Sequence, residues 1–251
     1  MRKALLTFDI ENLYQVNNNV ALVATLLNDL GIKGTLFVTA DILKNEINDI
    51  LDAQNQGHEI ASHGSVHPYI YQKKFKSHIS ALFGEQGIRD YVRLSYSIFR
   101  EKGIKVKGFR SVGFRLGSNL LIEAKQYFRY FAGNGPEIQR IDDSFIVLPI
   151  SRILGNIFFH PAMILYAPLN MIAERLIAKN EIIVLYFHSF DLIKKPSELA
   201  FFCPAWKKKI YYQKTGSYLR KRIEVLLRFL GSNGFEFITC NDLTELLLRK
   251  Y

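Results

Sequence analysis

The chain reads as an α/β protein built on a parallel sheet, folded as one domain over residues 1–251. Three observations predict this. Short apolar runs rich in β-branched and aromatic residues alternate with longer segments whose apolar residues recur at helical spacing. About seven or eight such strands fit between helices, the pattern of a parallel sheet covered by crossover helices. No Pro- or Gly-rich linker and no internal repeat divides the chain, and its length suits closure of the sheet into a barrel.

The elements follow in order. Lys3–Phe8 is a buried strand, ended by Asp9. Over Asn17–Leu30, Val20, Leu22, Val23, Leu26, Leu27 and Leu30 recur at helical spacing. Asn17, Asn18 or Asn19 caps that helix and Gly31 stops it. Gly34–Thr39 is a strand, Ala40–Gln56 a helix ended by Gly57, and His58–Ala61 a short strand. Lys76–Lys102 is mostly helical. Val106–Arg110 and Arg129–Ala132 are strands around a helix capped by Ser118 or Asn119. Phe145–Ile150 is a strand, Leu169–Ala178 a helix, and Glu181–Phe187 the strongest strand. Tyr218–Leu230 is an amphipathic helix, Phe235–Thr239 the last strand, and Asn241 caps a terminal helix.

Composition narrows the partners. Half the chain is apolar, 49%, which supports a sizeable core and argues against disorder. Lys plus Arg number 33 against 23 Asp plus Glu, a formal charge of +10. That balance favours acidic partners, among them an anionic membrane surface, yet no nucleic-acid signature accompanies it and no nucleic-acid role is expected. Cys203 and Cys240 are the two cysteines; two free thiols are a simpler reading than one disulfide. The apolar run after Met1-Arg2-Lys3 stops at Phe8, too short for a secretory signal. The longest apolar stretch, Ile153 to Ile172, is broken by Gly155, His160, Pro161 and Pro168 and makes a poor transmembrane helix. A cytoplasmic protein is expected, with peripheral contact to the cytoplasmic face of an anionic membrane left open. Lys207-Lys208-Lys209 and Arg220-Lys221-Arg222 would suit such contact.

The chemistry lies in a split set of residues. Asp9 and Glu11 are two apart at a strand end and face the same side. An isolated Asp-x-Glu is more often a solvated pair or a helix cap. His63 and His67 are four apart, on one side of a helical turn that Pro68 ends. Three of the six histidines, His58, His63 and His67, crowd into this segment. Two histidines and a carboxylate are a common set of ligands for a catalytic divalent metal, and a second carboxylate supplies a base. His188 closes the strongest strand, where a general acid would sit; Asp191 follows and either orients it or faces water. Arg110 ends another strand, where its guanidinium can hold a carboxylate ionised.

The order Asp-x-Glu, then Gly57-His58-Glu59-Ile60-Ala61-Ser62-His63-Gly64-Ser65-Val66-His67-Pro68, then Gly108-Phe109-Arg110, then an apolar strand with His188, resembles the polysaccharide deacetylase family. This is also known as the NodB-homology family or carbohydrate esterase family 4. The closing Gly234-Phe235-Glu236-Phe237-Ile238-Thr239 is similar to that family's last strand. The resemblance implies a distorted (β/α) barrel with one divalent metal, most often zinc. It implies that His63 and His67 are metal ligands with Glu11 as the third, and that Asp9 is the base contacted by Arg110. It makes His188 the acid, and leaves the roles of Asp9 and Glu11 exchangeable. The substrate it implies is a carbohydrate containing an N-acetylated amino sugar. The chain departs from the family pattern at Ile10, where a second aspartate is usual, and at Val112, where Arg-x-Pro is usual. No segment matches the fourth motif, with its aspartate and tryptophan. Trp206 is a candidate platform for a sugar face.

Overall fold

The structure, a computed structural model, describes residues 2–11, 19–66, 85–114, 117–135, 137–154, 157–158, 180–193 and 215–249. In chain order the elements are β1 (Arg2–Ile10), α1 (Asn19–Asp29), β2 (Thr35–Val38), α2 (Leu43–Asn55), β3 (Glu59–Ser62), α3 (Glu85–Glu101) and β4 (Gly108–Phe109). There follow α4 (Ser118–Lys125), β5 (Tyr130–Gly133), β6 (Gln139–Arg140), β7 (Ile146–Pro149), β8 (Arg152–Leu154) and β9 (Ile157–Phe158). The last are β10 (Ile182–His188), α5 (Ser217–Ser232), β11 (Phe235–Phe237) and α6 (Cys240–Arg249).

The main sheet runs β10-β1-β2-β3-β4-β5-β7-β6, and β11 pairs with the start of β1. Among the described residues, only the β6–β7 pairing in it is antiparallel. Alternation along the strands shows how it curls. Leu5, Phe37, Ala61, Tyr130, Ala132, Ile146, Leu148 and Val184 come from six strands and form one inner cluster. Their neighbours Leu6, Phe8, Leu36, Ile60, Phe109, Phe131, Val147 and Leu185 join the outer cluster packed on the helices. A sheet with both faces apolar needs helices outside and its own opposite strands inside, which is a barrel. The two sides meet at Ser151, just past β7. Its N–H donates to the Val184 carbonyl at 3.0 Å, and its Oγ accepts from the Val184 N–H at 2.8 Å.

The floor of the barrel is polar. Tyr130 and Thr35 donate their hydroxyls to opposite oxygens of Glu59, each at 2.9 Å. Two amides of the first turn of α6 join this cluster: Cys240 N–H donates to Thr35 Oγ1 and Asn241 N–H to Glu59 Oε2, both at 2.9 Å. Burial pushes the Glu59 carboxyl up to about 7 against the pull of these donors. Cys240 is a free buried thiol, pushed up to about 12 by burial and by Glu59.

Several local expectations are corrected. Thr39 ends before a 3-10 turn at Ala40–Ile42, so α2 begins at Leu43. The cap of α6 is Thr239 rather than Asn241. Asp242 three residues on accepts the Thr239 N–H at 3.1 Å and returns its own N–H to Thr239 Oγ1 at 3.1 Å, a reciprocal box. Gly117, not Ser118 or Asn119, precedes α4. At the start of α1 the Val20 N–H is received by Glu46 of α2, at 2.9 Å, rather than by a local asparagine; Asn17 and Asn18 lie outside the described residues. Strands β6, β8 and β9 were not expected, since two or three residues are too few to show a period. The helix expected at Leu169–Ala178 and the stretch 76–84 fall outside the described residues.

Candidate active site

Each functional side chain stands at the carboxyl end of a parallel strand. Asp9 is the last inward residue of β1, in line with Leu5 and Thr7, and Glu11 follows the strand. His63 follows β3 and Arg110 follows β4, each continuing its ladder by one bond: His63 N–H to Val38 O at 2.8 Å, Arg110 N–H to Ser62 O at 2.9 Å. His188 ends β10 directly across from Asp9 in the β1–β10 register. Parallel strands aligned by their ladders bring distant parts of the chain to one rim, so residues far apart in sequence meet.

The two carboxylates are held differently. Arg110 is fully buried and its Nη1 donates to Asp9 Oδ1 at 2.6 Å and to Thr7 Oγ1 at 3.0 Å. Its guanidinium carbon lies 3.8 Å from the centre of the Phe37 ring. Glu11, 5% exposed, faces His63 instead, with Oε1 3.0 Å from Nε2. Asp9 Oδ2 lies 3.8 Å from that same nitrogen.

His63 shows what the cluster can accept. Its Nδ1 is 2.9 Å from the Arg110 carbonyl, which only accepts, so Nδ1 carries a proton. In the neutral ring Nε2 is then a lone pair aimed at a carboxylate oxygen 3.0 Å away. Two acceptors at that distance repel unless a proton or a cation lies between them. A histidine whose Nδ1 is fixed by a backbone carbonyl, with Nε2 presented beside carboxylates, is the arrangement of a metal ligand with its outer hydrogen bond in place. Glu11 and His63 therefore fit as two donors to a divalent cation. Among the described residues no three His, Cys, Asp or Glu side chains form a metal-holding group. His67, the other expected ligand, lies outside the described residues.

Across the rim, the His188 side chain is 22% exposed. It stacks on Phe190, centroids 4.5 Å apart, and meets Tyr186 edge-on at 5.8 Å. Asp191, wholly buried, accepts the His188 backbone N–H at 3.1 Å, and its Oδ2 lies 3.5 Å from Nδ1. That second distance is an ion-pair contact, too long for a good hydrogen bond. Burial alone would push the imidazole down; Asp191 first, then Glu11 and Asp9, outweigh it, and the net shift is upward. Asp191 is thus beside the histidine rather than facing water. Tyr186 is kept neutral by burial and by Asp9 and Asp191, its hydroxyl pushed well above the ordinary phenol range.

Of the expected site residues, the structure brings together Asp9, Glu11, His63, Arg110 and, on the adjoining strand, His188. Trp206, Cys203 and Lys207-Lys208-Lys209 lie outside the described residues. Arg220 is committed to Asp29 at 2.6 Å and Glu224 at 3.3 Å. Among the described residues no helix is long and apolar enough to cross a membrane. Thr7 and Phe37, which seat Arg110, were not singled out from the sequence; inward alternation on β1 and β2 would have found both.

A parallel α/β barrel with buried carboxylates, imidazoles and a guanidinium at its carboxyl rim is a scaffold for acid–base chemistry on a bound substrate. Residues 1–93 match the family model for polysaccharide deacetylase. The resemblance carried by the motifs is thus borne out over those residues. Solved structures extend the likeness in fold to nearly the whole chain. A polysaccharide deacetylase-like protein from Mycobacterium smegmatis is similar at 16% identity and TM-score 0.63, covering 99% of this chain and 91% of that one. A family 4 acetyl xylan esterase from Clostridium thermocellum, in complex with a cobalt ion, matches at 18% identity and TM-score 0.56, covering 98% and 91%. A carbohydrate esterase family 4 pseudoenzyme from Bacillus anthracis matches at 12% identity and TM-score 0.57, covering 97% and 66%. No curated protein matches the chain.

Proposed function

We propose that this protein is a metal-dependent carbohydrate deacetylase that hydrolyses the N-acetyl group of an amino sugar in a polysaccharide or oligosaccharide. One observation carries the reading. At a single rim, Arg110 binds Asp9 while Glu11 faces His63, so the two neighbouring carboxylates have different partners and suit different tasks. The match of residues 1–93 to polysaccharide deacetylases supports the same chemistry.

Glu11 and His63 would hold the cation, with His67 as the third ligand. Such a cation supplies Lewis acidity, lowering the pKa of water and polarising an amide carbonyl. Asp9 acts as base. Its Oδ1 is occupied by Arg110, so Oδ2 is the oxygen that takes the proton from the attacking water. Arg110 orients Asp9 and does not touch substrate. His188, opposite Asp9 on the adjacent strand, donates a proton to the leaving amine. Asp191 shifts that imidazole toward its protonated form. Acetate and a free amino sugar result.

The experiment measures bound metal and acetate release from N-acetylglucosamine oligomers, for the wild type and for Asp9→Asn and His188→Ala. Loss of turnover in both variants with metal content retained is expected. Unchanged rates would remove the role assignment. A pseudoenzyme among the structural relatives gives weight to a second reading, a glycan-binding module without hydrolysis. Glycan binding with neither metal retention nor acetate release would favour it.

A further inference from the structure

We propose that Tyr91 is a positioning residue for the rim, fixing His63 by tying its turn to the loop that carries Arg110. The inference rests on the reading of Glu11 and His63 as cation donors. It begins from Gly64, directly after His63.

Gly64 has φ +93°, and a Cβ placed there would lie 1.9 Å from the Tyr91 Oη. The phenol of α3 therefore occupies the space that a side chain at 64 would fill. Its hydroxyl donates to the His63 carbonyl at 2.9 Å. One buried side chain so meets both loops, through its hydroxyl at His63 and its ring at Phe109. The ring is 6% exposed and packs edge-on against Phe109, the residue before Arg110, at 6.2 Å.

The neighbourhood leaves the turn little freedom apart from this bridge. The Gly64 N–H donates to Ser62 Oγ, which donates to Ser95 Oγ, which donates to the Val92 carbonyl. From the other side, the amides of Ala40 and Asp41 bind the carbonyls of Gly64 and Ser65. What Tyr91 adds is the link between loops. His63 Nδ1 donates to the Arg110 carbonyl, so the imidazole's aim at Glu11 depends on the His63 turn and the Arg110 loop staying in register. Tyr91 holds that register from the helix side. Outer partners that fix a ligand's orientation typically govern metal affinity by about 10- to 100-fold.

The test is a zinc titration of the full chain in competition with a chromophoric chelator, for wild type and Tyr91→Phe, with urea unfolding of each in chelator. Tyr91→Phe keeps the ring and removes the hydroxyl's bond to the His63 carbonyl, and zinc affinity is expected to fall about tenfold or more. Its metal-free urea midpoint is expected to stay near that of the wild type; an affinity loss matched by collapse of that midpoint would make the phenol's role purely structural and overturn the proposal. Wild-type protein that binds no zinc would sink the cation reading itself. Wild-type binding with equal affinity in Tyr91→Phe would overturn the role of Tyr91 and leave that reading intact.

Discussion

Replacing Arg110 by Met tests how the rim is held together. Methionine keeps the apolar stem and much of the volume while deleting the charge. The guanidinium is fully buried and its Nη1 is 2.6 Å from Asp9 Oδ1. At an effective dielectric of about 20, unit charges at that distance attract by about 6 kcal/mol. Most of this offsets the desolvation of the two ions, so the net worth of the pair is small. Removing one partner is different, because Asp9, 2% exposed, stays buried without its counter-charge. Breaking a buried pair in this way costs about 3–5 kcal/mol. For a chain of this length each kcal/mol moves the melting temperature by about 2–4 °C, so Arg110→Met should melt about 6–20 °C lower. The assay is urea and thermal unfolding in chelator of the wild type, Arg110→Met, Asp9→Asn and the double variant. The double variant should be more stable than Arg110→Met, since it no longer buries an unpaired charge. Losses that add to within about 0.5 kcal/mol, or an Arg110→Met cost below about 1 kcal/mol, would refute the coupling.

Three further outcomes are expected. Asp191→Asn removes the main upward influence on His188, so the alkaline limb of the kcat profile, where the acid loses its proton, should move to lower pH; an unmoved limb would show the 3.5 Å contact to be inert. Glu59, raised to about 7, binds a proton more readily folded than unfolded, so its contribution to stability is present at low pH and fades as pH rises through about 7. Glu59→Gln should therefore gain stability relative to wild type between pH 5 and pH 8, at about those values, as read by urea midpoints; a constant difference would place the titration elsewhere. Ser151→Ala strands the Val184 N–H at the barrel seam and should cost about 1–3 kcal/mol, measured by the same unfolding assay, whereas a surface serine would cost almost nothing.

Much of this fold was legible in the sequence because strands and helices write their periods locally. The runs at Lys3–Phe8, Gly34–Thr39 and Glu181–Phe187 became β1, β2 and β10, with ends shifted by a few residues. Elements of two or three residues, β6, β8 and β9, were not legible, because they exist only through their pairing. Caps failed for a related reason. The amide at the start of α1 is met by Glu46, 26 residues on, and no nearest-neighbour rule finds such a partner.

The site divides in the same way. Asp9, Glu11, His63, Arg110 and His188 were picked out as residue types at strand ends, and a chain-order pattern tied them together. Which carboxylate goes with which partner was not written in the pattern, since Asp9 and Glu11 are chemically alike and two residues apart. Tertiary structure decided it. Asp9, the last inward residue of β1, shares a column with Thr7, where the guanidinium just past β4 reaches both; Glu11, just beyond the strand, turns to His63. Tyr91 was invisible in sequence, one aromatic among the apolar residues of an amphipathic helix. It matters only because the fold sets its hydroxyl on the His63 carbonyl and its ring against Phe109. By itself the sequence determined the parallel α/β class and the rim's chemical inventory, because strand period and residue chemistry are local properties. The pairing of those groups was decided by strand register and barrel closure, which are properties of distant segments in contact.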